Sequence, residues 1–310
     1  MLAVKVLQEQ PIELLAITFV TPFFGPSKGV AAGKMAEIET RAVDISQVHL
    51  DMLKNPRYGY GSQLNPCIDC HGLMLREAGK LMAQEGADFL FTGEVLGQRP
   101  MSQRRDSLRS VEKLSGLTGR ILRPLSAKLL PPTIIEQEGV VDRDKLLDIQ
   151  GRSRKRQKEL AQKYGLTDYP QPGGGCMLTN EGFSNRLRSL LGIRPGATVE
   201  DVEIIKWGRA FMLPGKTICM VGRQQGENCK LESLTRTQDI LLRPANYPGP
   251  SCLLLAPAGP HDIEPASSIA AAYSDAPEHA LVDVDWRWGS RSGTCRTEAK
   301  TKDFFRQMLI

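Results

Sequence analysis

Residues 87–103 read ADFLFTGEVLGQRPMSQ. An apolar run, DFLFTG (88–93), stops at a glycine and passes into a polar loop punctuated by a second one. A few apolar residues bounded by turn formers mark a short buried strand. The stretch before it, LMLREAGKLMAQEG (73–86), has helical spacing and ends on Gly86 as a C-cap. The stretch after it, SQRRDSLRSVEKLSGL, is helical again. A strand set between two helices is the repeating unit of a parallel sheet.

The same alternation runs outward from this point. A helix over 2–9 leads to the strand IELLAITFV (12–20), a second helix in FGPSKGVAAGKMAEI and a second strand in TRAVDI (40–45). The order predicts an α/β fold, a Rossmann-like parallel sheet covered on both faces, followed by a smaller α+β domain. Ligands of such sheets gather at the carboxyl ends of the strands, where GEVLGQRPMSQ lies. LPP (130–132) interrupts the pattern, and a polar helix is predicted from about Asp142 to Tyr164. YPQPGGGC (169–176), dense in proline and glycine, is the boundary candidate. Beyond it come the helix NEGFSNRLRSLLG (180–192) and strands in KTICMVG, DILLRPA, SCLLLAP and ALVDVDW. The division read is 1–168, 169–245 and 246–310, the last without a functional assignment.

Composition limits the function classes. The 310 residues are 41% hydrophobic and 24% charged, as in ordinary globular proteins. No apolar run reaches the roughly 18 residues a membrane span needs. MLAVKVLQEQ lacks the layout of a secretory signal, and seven cysteines, an odd count, do not form a disulfide framework. A reducing cytoplasm with free thiols is the expectation. The net charge is +5, concentrated in RSRKRQK (152–158), which carries Arg152, Arg154, Lys155, Arg156 and Lys158. With Arg186, Arg188, Arg209 and Arg223 these cations suit an RNA backbone, or form a solvated helix face. Tyr58, Tyr60 and Trp207 are candidates for stacking on a base, or for packing.

NPCIDCHG (65–72) brings Cys67 and Cys70 within one helical turn. That spacing suits a metal, a redox or persulfide pair, or two small buried side chains. A four-cysteine zinc site needs a second such pair, and there is none. There is a distant third cysteine, Cys176 in GGGCMLT. His71 is either a further ligand or a helix cap. Cys219, Cys229, Cys252 and Cys295 read as structural.

NPCIDCHG, ADFLFTGEVLGQRPMSQ and RPLSAKLLPPT (123–133) together resemble the PP-loop ATP pyrophosphatases that thiolate tRNA, the 2-thiouridine and 4-thiouridine synthetases. GGGCMLTNEGFSNRLRSLL and KWGRAFMLPGKTICMVGRQQGENCKL (206–231) are similar to an NFACT-type RNA-binding domain. The first resemblance implies ATP-dependent adenylation of a tRNA uridine followed by sulfur transfer from a donor protein or sulfide. It implies that Cys67, Cys70 and Cys176 hold a 4Fe–4S cluster with one open iron, or that Cys70 carries a persulfide without a cluster. It implies that Gly93, Glu94, Gln98, Arg99 and Ser102 help seat ATP and its Mg. The family's Ser-Gly-Gly-x-Asp-Ser phosphate loop does not occur before MLAVKVLQEQ, so ATP binding is expected to be weak. The alternative is an iron–sulfur or RNA-binding protein without ATP hydrolysis.

Overall fold

Two β-α-β turns organise the first half of the chain. The computed structural model describes residues 1–167 and 175–310, in two units, Met1–Thr179 and Asn180–Ile310. Most of the boundary read at 169–176 lies outside the described residues.

The first unit opens with α1 (Leu2–Leu7), β1 (Leu15–Val20), α2 (Ser27–Ala36), β2 (Glu39–Asp44) and α3 (Ser46–Lys54). It continues through α4 (Cys67–Glu85), β3 (Leu90–Phe91), α5 (Arg105–Ser115), β4 (Ile121–Leu122), α6 (Ile134–Gln137) and α7 (Lys155–Lys163). β1 pairs parallel with β2, and β3 with β4, each across its own helix. α2 lies close on its strands because Gly29 and Gly33, one turn apart, face Thr18 and Thr40. A Cβ on either glycine would come within 2.2 Å and 1.7 Å of the threonine hydroxyls.

The Rossmann-like parallel sheet expected from the sequence is not formed among the described residues. Parallel pairing occurs twice, as separate two-stranded ladders. The reason lies in length and burial. β3 and β4 are two residues each, and β3 is only half-buried where a buried strand was expected. β1 is half-buried throughout and β2 is largely exposed, unlike the strands of a wide parallel sheet covered on both faces. After Phe91 the backbone turns across the unit, with Leu96 N donating to Ser126 Oγ at 2.9 Å. The helix expected from Asp142 begins only at Lys155. Leu146 and Ile149 are drawn instead into the core beside Leu122 and Leu125, and Gln150 bridges Leu96.

The second unit contains α8 (Glu181–Ile193), α9 (Val199–Ile204), β5 (Arg209–Met212), β6 (Ile218–Val221) and α10 (Gln225–Ser233). β7 (Ile240–Pro244), β8 (Cys252–Leu254), α11 (Pro260–Ala272), β9 (Leu281–Trp288) and β10 (Arg291–Glu298) complete it. This is the expected α+β unit: one antiparallel sheet in the order β10-β9-β7-β8-β6-β5. Residues 246–310 supply β8, β9 and β10 to the same sheet as β5–β7. One face is the apolar core, where Phe211, Leu242, Leu254 and Val284 meet α11 through Ala266, Ile269 and Ala270. Asn180 caps α8 by accepting from Phe183 N at 2.9 Å, and Thr198 and Asp201 cap α9 reciprocally. No described helix is long and apolar enough to cross a membrane.

Candidate functional site

The first turn of α4 is assembled by its own flanking loop. Asp69, 5% exposed, accepts from the backbone N–H groups of Arg57 and Tyr58 at 2.8 and 3.0 Å, which folds PRYGYG over the helix start. Tyr60 donates to Leu53 O at 2.7 Å. Asn65 donates to Cys67 Sγ at 3.3 Å. Cys67 and Cys70, three residues apart, project from one side of the helix.

Cys176 reaches the same place from the far end of the unit. Gly175 before it has φ +102°, a conformation that side-chain-bearing residues rarely adopt. Met177 N then donates to Phe23 O at 3.0 Å, tying the segment to the turn after β1. Cys67, Cys70 and Cys176 line one cavity of about 460 Å³, together with Lys28, Asn65, His71 and Arg99. No carboxylate is among the described residues lining it. Burial pushes the Cys70 thiol well above its usual range, and neighbouring Cys176, Cys67 and Asp69 add to the effect. Burial also raises Cys176, partly offset by a backbone hydrogen bond from Leu178. Cys70 and Cys176 are thus thiols at neutral pH until a metal or cation draws off the proton. Among the described residues no group of three His, Cys, Asp or Glu side chains is placed to hold a single metal ion.

One neighbour of this site carries no signal in the sequence. His49, on α3, is fully buried, with Nε2 3.2 Å from Cys70 Sγ. Its ring sits against Phe23 and Phe24, with centroids at 5.4 and 5.8 Å. Burial pulls its pKa down to about 4, so the imidazole is neutral at pH 7. QVHLDMLKN follows the second strand with no motif of its own, and the meeting with Cys70 exists only in three dimensions.

The 92–103 loop is held from within. Glu94, 6% exposed, accepts from Thr92 Oγ1 and Arg123 Nε, both at 3.0 Å, and lies 2.9 Å from His71 Nδ1. His71 is therefore paired with Glu94, and Pro66, without a side-chain cap, occupies the helix start. Gln98 donates to Gln157 on α7 at 2.9 Å, and Ser102 is buried. Gly93 and Arg99 are exposed, and of the five residues read as seating a nucleotide only Arg99 lines the cysteine cavity.

The basic residues separate by environment. Arg152, Lys155, Arg156 and Lys158 are exposed in the first unit, with Arg156 paired to Asp148 at 2.7 Å, while Arg154 is half-buried. In the second unit Arg186 donates to Ile205 O at 2.9 Å, Arg188 to Asn185 at 2.9 Å, and Arg223 is forked onto Glu227. Tyr58 and Tyr60 are each 41% exposed; Trp207 is half-buried, 5.9 Å from Lys230. Cys219 and Cys252 are core residues, Cys295 is half-buried and Cys229 is exposed on α10.

A cation–aromatic patch joins Arg209, read from the sequence as RNA-facing, to residues of 246–310, the stretch without a functional assignment. Arg209 and Lys302 lie 5.1 and 5.7 Å from the Tyr273 ring, and Lys300 lies 4.3 Å from Phe304, which is 56% exposed. Arg291 sits 5.8 Å from Trp288 on the β9–β10 hairpin. The interleaving of cations and rings in KTKDFF (300–305) and WRWGSR (286–291) is the signal that would have found it.

The family described as NFACT protein RNA binding domain matches residues 208–304, which take in β5 through β10. An NFACT-type RNA-binding domain is therefore present in the second unit. The solved C-terminal part of the fibronectin/fibrinogen-binding protein from Streptococcus suis is similar over 78% of this chain and 94% of that one. It shares 16% identity at a TM-score of 0.29, a likeness too distant to bear on fold or function. No curated protein matches the chain. The family match lies wholly in the second unit, and none of these comparisons supports the likeness of the first unit to thiolating enzymes.

Proposed function

We propose that the chain is an RNA-binding protein whose second unit grips the nucleic acid and whose first unit presents a three-thiol cavity. The match of residues 208–304 to an RNA-binding domain carries this reading. The patch of Arg209, Tyr273, Lys300, Lys302 and Phe304 supports it. Phosphates are drawn to the cations, and the exposed Phe304 ring offers a face on which an unpaired base stacks, while Tyr273 is half-buried against the core. Binding of tRNA and of polyuridylate to the full chain, measured across a salt series, is the test. The affinity should fall steeply as salt rises; no binding, or binding indifferent to salt, rejects the reading.

A second reading, tRNA uridine thiolation, is favoured by the convergence of Cys67, Cys70 and Cys176 on one cavity beside Lys28 and Arg99. ATP with Mg would adenylate the uridine oxygen, and sulfur would then replace it as AMP leaves. The three thiols suit a 4Fe–4S cluster, which when bound supplies an open iron for sulfide from a donor protein. The chain's own residues have definite parts. Lys28 and Arg99 offset the negative charge of the thiolates and of an anionic substrate, and the Asn65 amide holds Cys67 in place. In the cluster-free form of this reading Cys70 takes sulfane sulfur from the persulfide of a donor protein, whose thiol is the leaving group. That sulfur displaces AMP from the adenylated uridine, and a second cysteine releases the thiouridine by closing a disulfide with Cys70. Anaerobic purification followed by iron and sulfide analysis separates the two, and colourless, iron-free protein sinks the cluster. Failure to form thiouridine in tRNA with ATP and either sulfide or a persulfide-bearing donor protein sinks the thiolation while leaving RNA binding intact.

A further inference from the structure

A second cavity in the first unit, about 360 Å³, opens between α5, the end of β4 and the loop 123–133, and no cysteine lines it. Its walls are apolar at Leu108, Ile121 and Leu130 and cationic at Arg105, Arg109 and Arg123. Two carboxylates also reach it, and both are already paired. Glu112 binds Arg123 Nη1. Glu136 binds Arg143 Nη1 and accepts from Thr133 N and Oγ1, each at 2.7 Å. Arg105 donates one bond, to Leu129 O at 3.1 Å, and Arg109 has no ion-pair partner among the described residues. The cavity therefore keeps an excess of positive charge.

The deciding atom is on Arg123. Its side chain is 3% exposed; Nε donates to Glu94 at 3.0 Å and Nη1 to Glu112, but the buried Nη2 has no acceptor among the described residues. Such a nitrogen has given up water without gaining a partner, and protein interiors avoid this unless a water, ion or ligand completes the bond. Guanidinium groups are suited to oxyanions, which they bind through paired N–H donors. The volume is at the small end of the range for small-molecule sites, about 300–1,000 Å³.

We propose that this cavity binds a small organic oxyanion, a carboxylate or phosphate on an apolar body, with the anion at Arg123 Nη2 and Arg109 and the body against Leu108, Ile121 and Leu130. The site stands apart from RNA binding and from the thiols, and its test does not depend on either.

The test is isothermal titration of the full chain with benzoate and, separately, with inorganic phosphate, at an ionic strength fixed with sodium chloride. Saturable binding at one site is expected, tighter for benzoate because phosphate leaves the apolar wall uncovered. Tighter binding of phosphate would identify the natural ligand as a phosphate ester, still within the proposal. Arg123→Met strips Glu94 and Glu112 of their shared cation and is expected to unfold the unit, so the decisive variant alters the rim instead. Arg105→Gln with Arg109→Gln should weaken binding about tenfold or more, while Lys158→Gln on α7 leaves it unchanged. No saturation by either probe up to about 10 mM, weaker than any functional site of this size, overturns the proposal. Equal affinity in the double variant overturns it too, and leaves Nη2 to an ordered water.

Discussion

Glu94→Gln is expected to destabilise the first unit selectively. Glu94 is buried between three partners, with His71 Nδ1 at 2.9 Å and Arg123 Nε and Thr92 Oγ1 at 3.0 Å. Burial alone would raise its pKa, but the hydrogen bond from His71 and the charges of His71 and Arg123 overcome it and hold the carboxyl down to about 2. Set against an ordinary 4.5, that depression corresponds to about 3 kcal/mol in favour of the ionised, folded state. Glutamine keeps the shape and one acceptor but not the charge, and Arg123 retains only Glu112. Severing a buried pair costs about 3–5 kcal/mol, and the surviving Glu112 contact puts this case near 3.

The pH dependence follows from a folded pKa that lies below the unfolded one. This contribution is fully present above about pH 4.5 and is lost as pH falls toward 2, so the wild type should weaken through that window and Glu94→Gln should lack that part of the decline. The distribution of tryptophan supplies the assay. Trp207, Trp286 and Trp288 all lie in the second unit, so tryptophan fluorescence reports that unit while far-UV circular dichroism reports both. With a urea slope of about 1–3 kcal/mol per M, the first-unit transition seen by dichroism should move down by about 1–3 M, and the fluorescence transition should stay in place. A shift below about 0.5 M, or an acid limb identical to the wild type, would show that the Glu94 cluster is not what holds this loop. A variant that folds normally but binds ATP less tightly would return Glu94 to the nucleotide-seating role read from the sequence.

Arg209→Gln, Lys300→Gln and Lys302→Gln together should weaken RNA binding and lessen the slope of log K against log salt by about 2 for a single-stranded RNA, measured by filter binding. The same three changes at Arg152, Lys155 and Lys158 should lessen it less if the second unit carries the grip, and a reversed order would move the RNA site to the first unit. On the cluster reading, anaerobically prepared protein is brown and Cys67→Ala, Cys70→Ala and Cys176→Ala each abolish that absorbance; a variant that retains full iron excludes its cysteine as a ligand. Asp201, fully buried, pairs with both Arg194 at 2.9 Å and Arg236 at 2.7 Å, so Asp201→Asn should destabilise the second unit by about 3 kcal/mol, read directly by tryptophan fluorescence.

Local features were legible wherever one stretch of chain determined them. The helix ending at Gly86, the strand in LAITFV and the helix over 180–192 each depend on neighbours in sequence, and each occurs near where it was read. The parallel sheet was not legible, because alternation of helix and strand says which hand and direction a crossover takes but not how many ladders join. The supposed long helix after Asp142 failed for a related reason. Its polar texture suited a helix, while Leu146 and Ile149 were claimed by a core assembled from distant residues. His49 belongs to the same class, since nothing in its own helix announces Cys70. The cation–aromatic patch was different. Its alternation is visible in KTKDFF, where rings and cations interleave as stacking on bases requires, in contrast to the arginine runs of RSRKRQK.

The two readings of function now rest on separable parts of the molecule. The RNA-binding match and the aromatic patch lie wholly in the second unit, and the three thiols lie wholly in the first. Burial raises the pKa of Cys70 and Cys176, so the two stay neutral thiols, which can pack as small apolar side chains. A group that draws off their protons would use the same thiols as ligands, with the lining cations Lys28 and Arg99 acting in the same direction. Thiol content therefore decides more than RNA affinity does. If Cys70 and Cys176 in anaerobically prepared protein alkylate with iodoacetamide as slowly as the core cysteine Cys252, and iron changes nothing, the cavity is packing and the chain is a binding protein. If added iron protects them selectively while Cys229 continues to react, the first unit has a chemistry of its own.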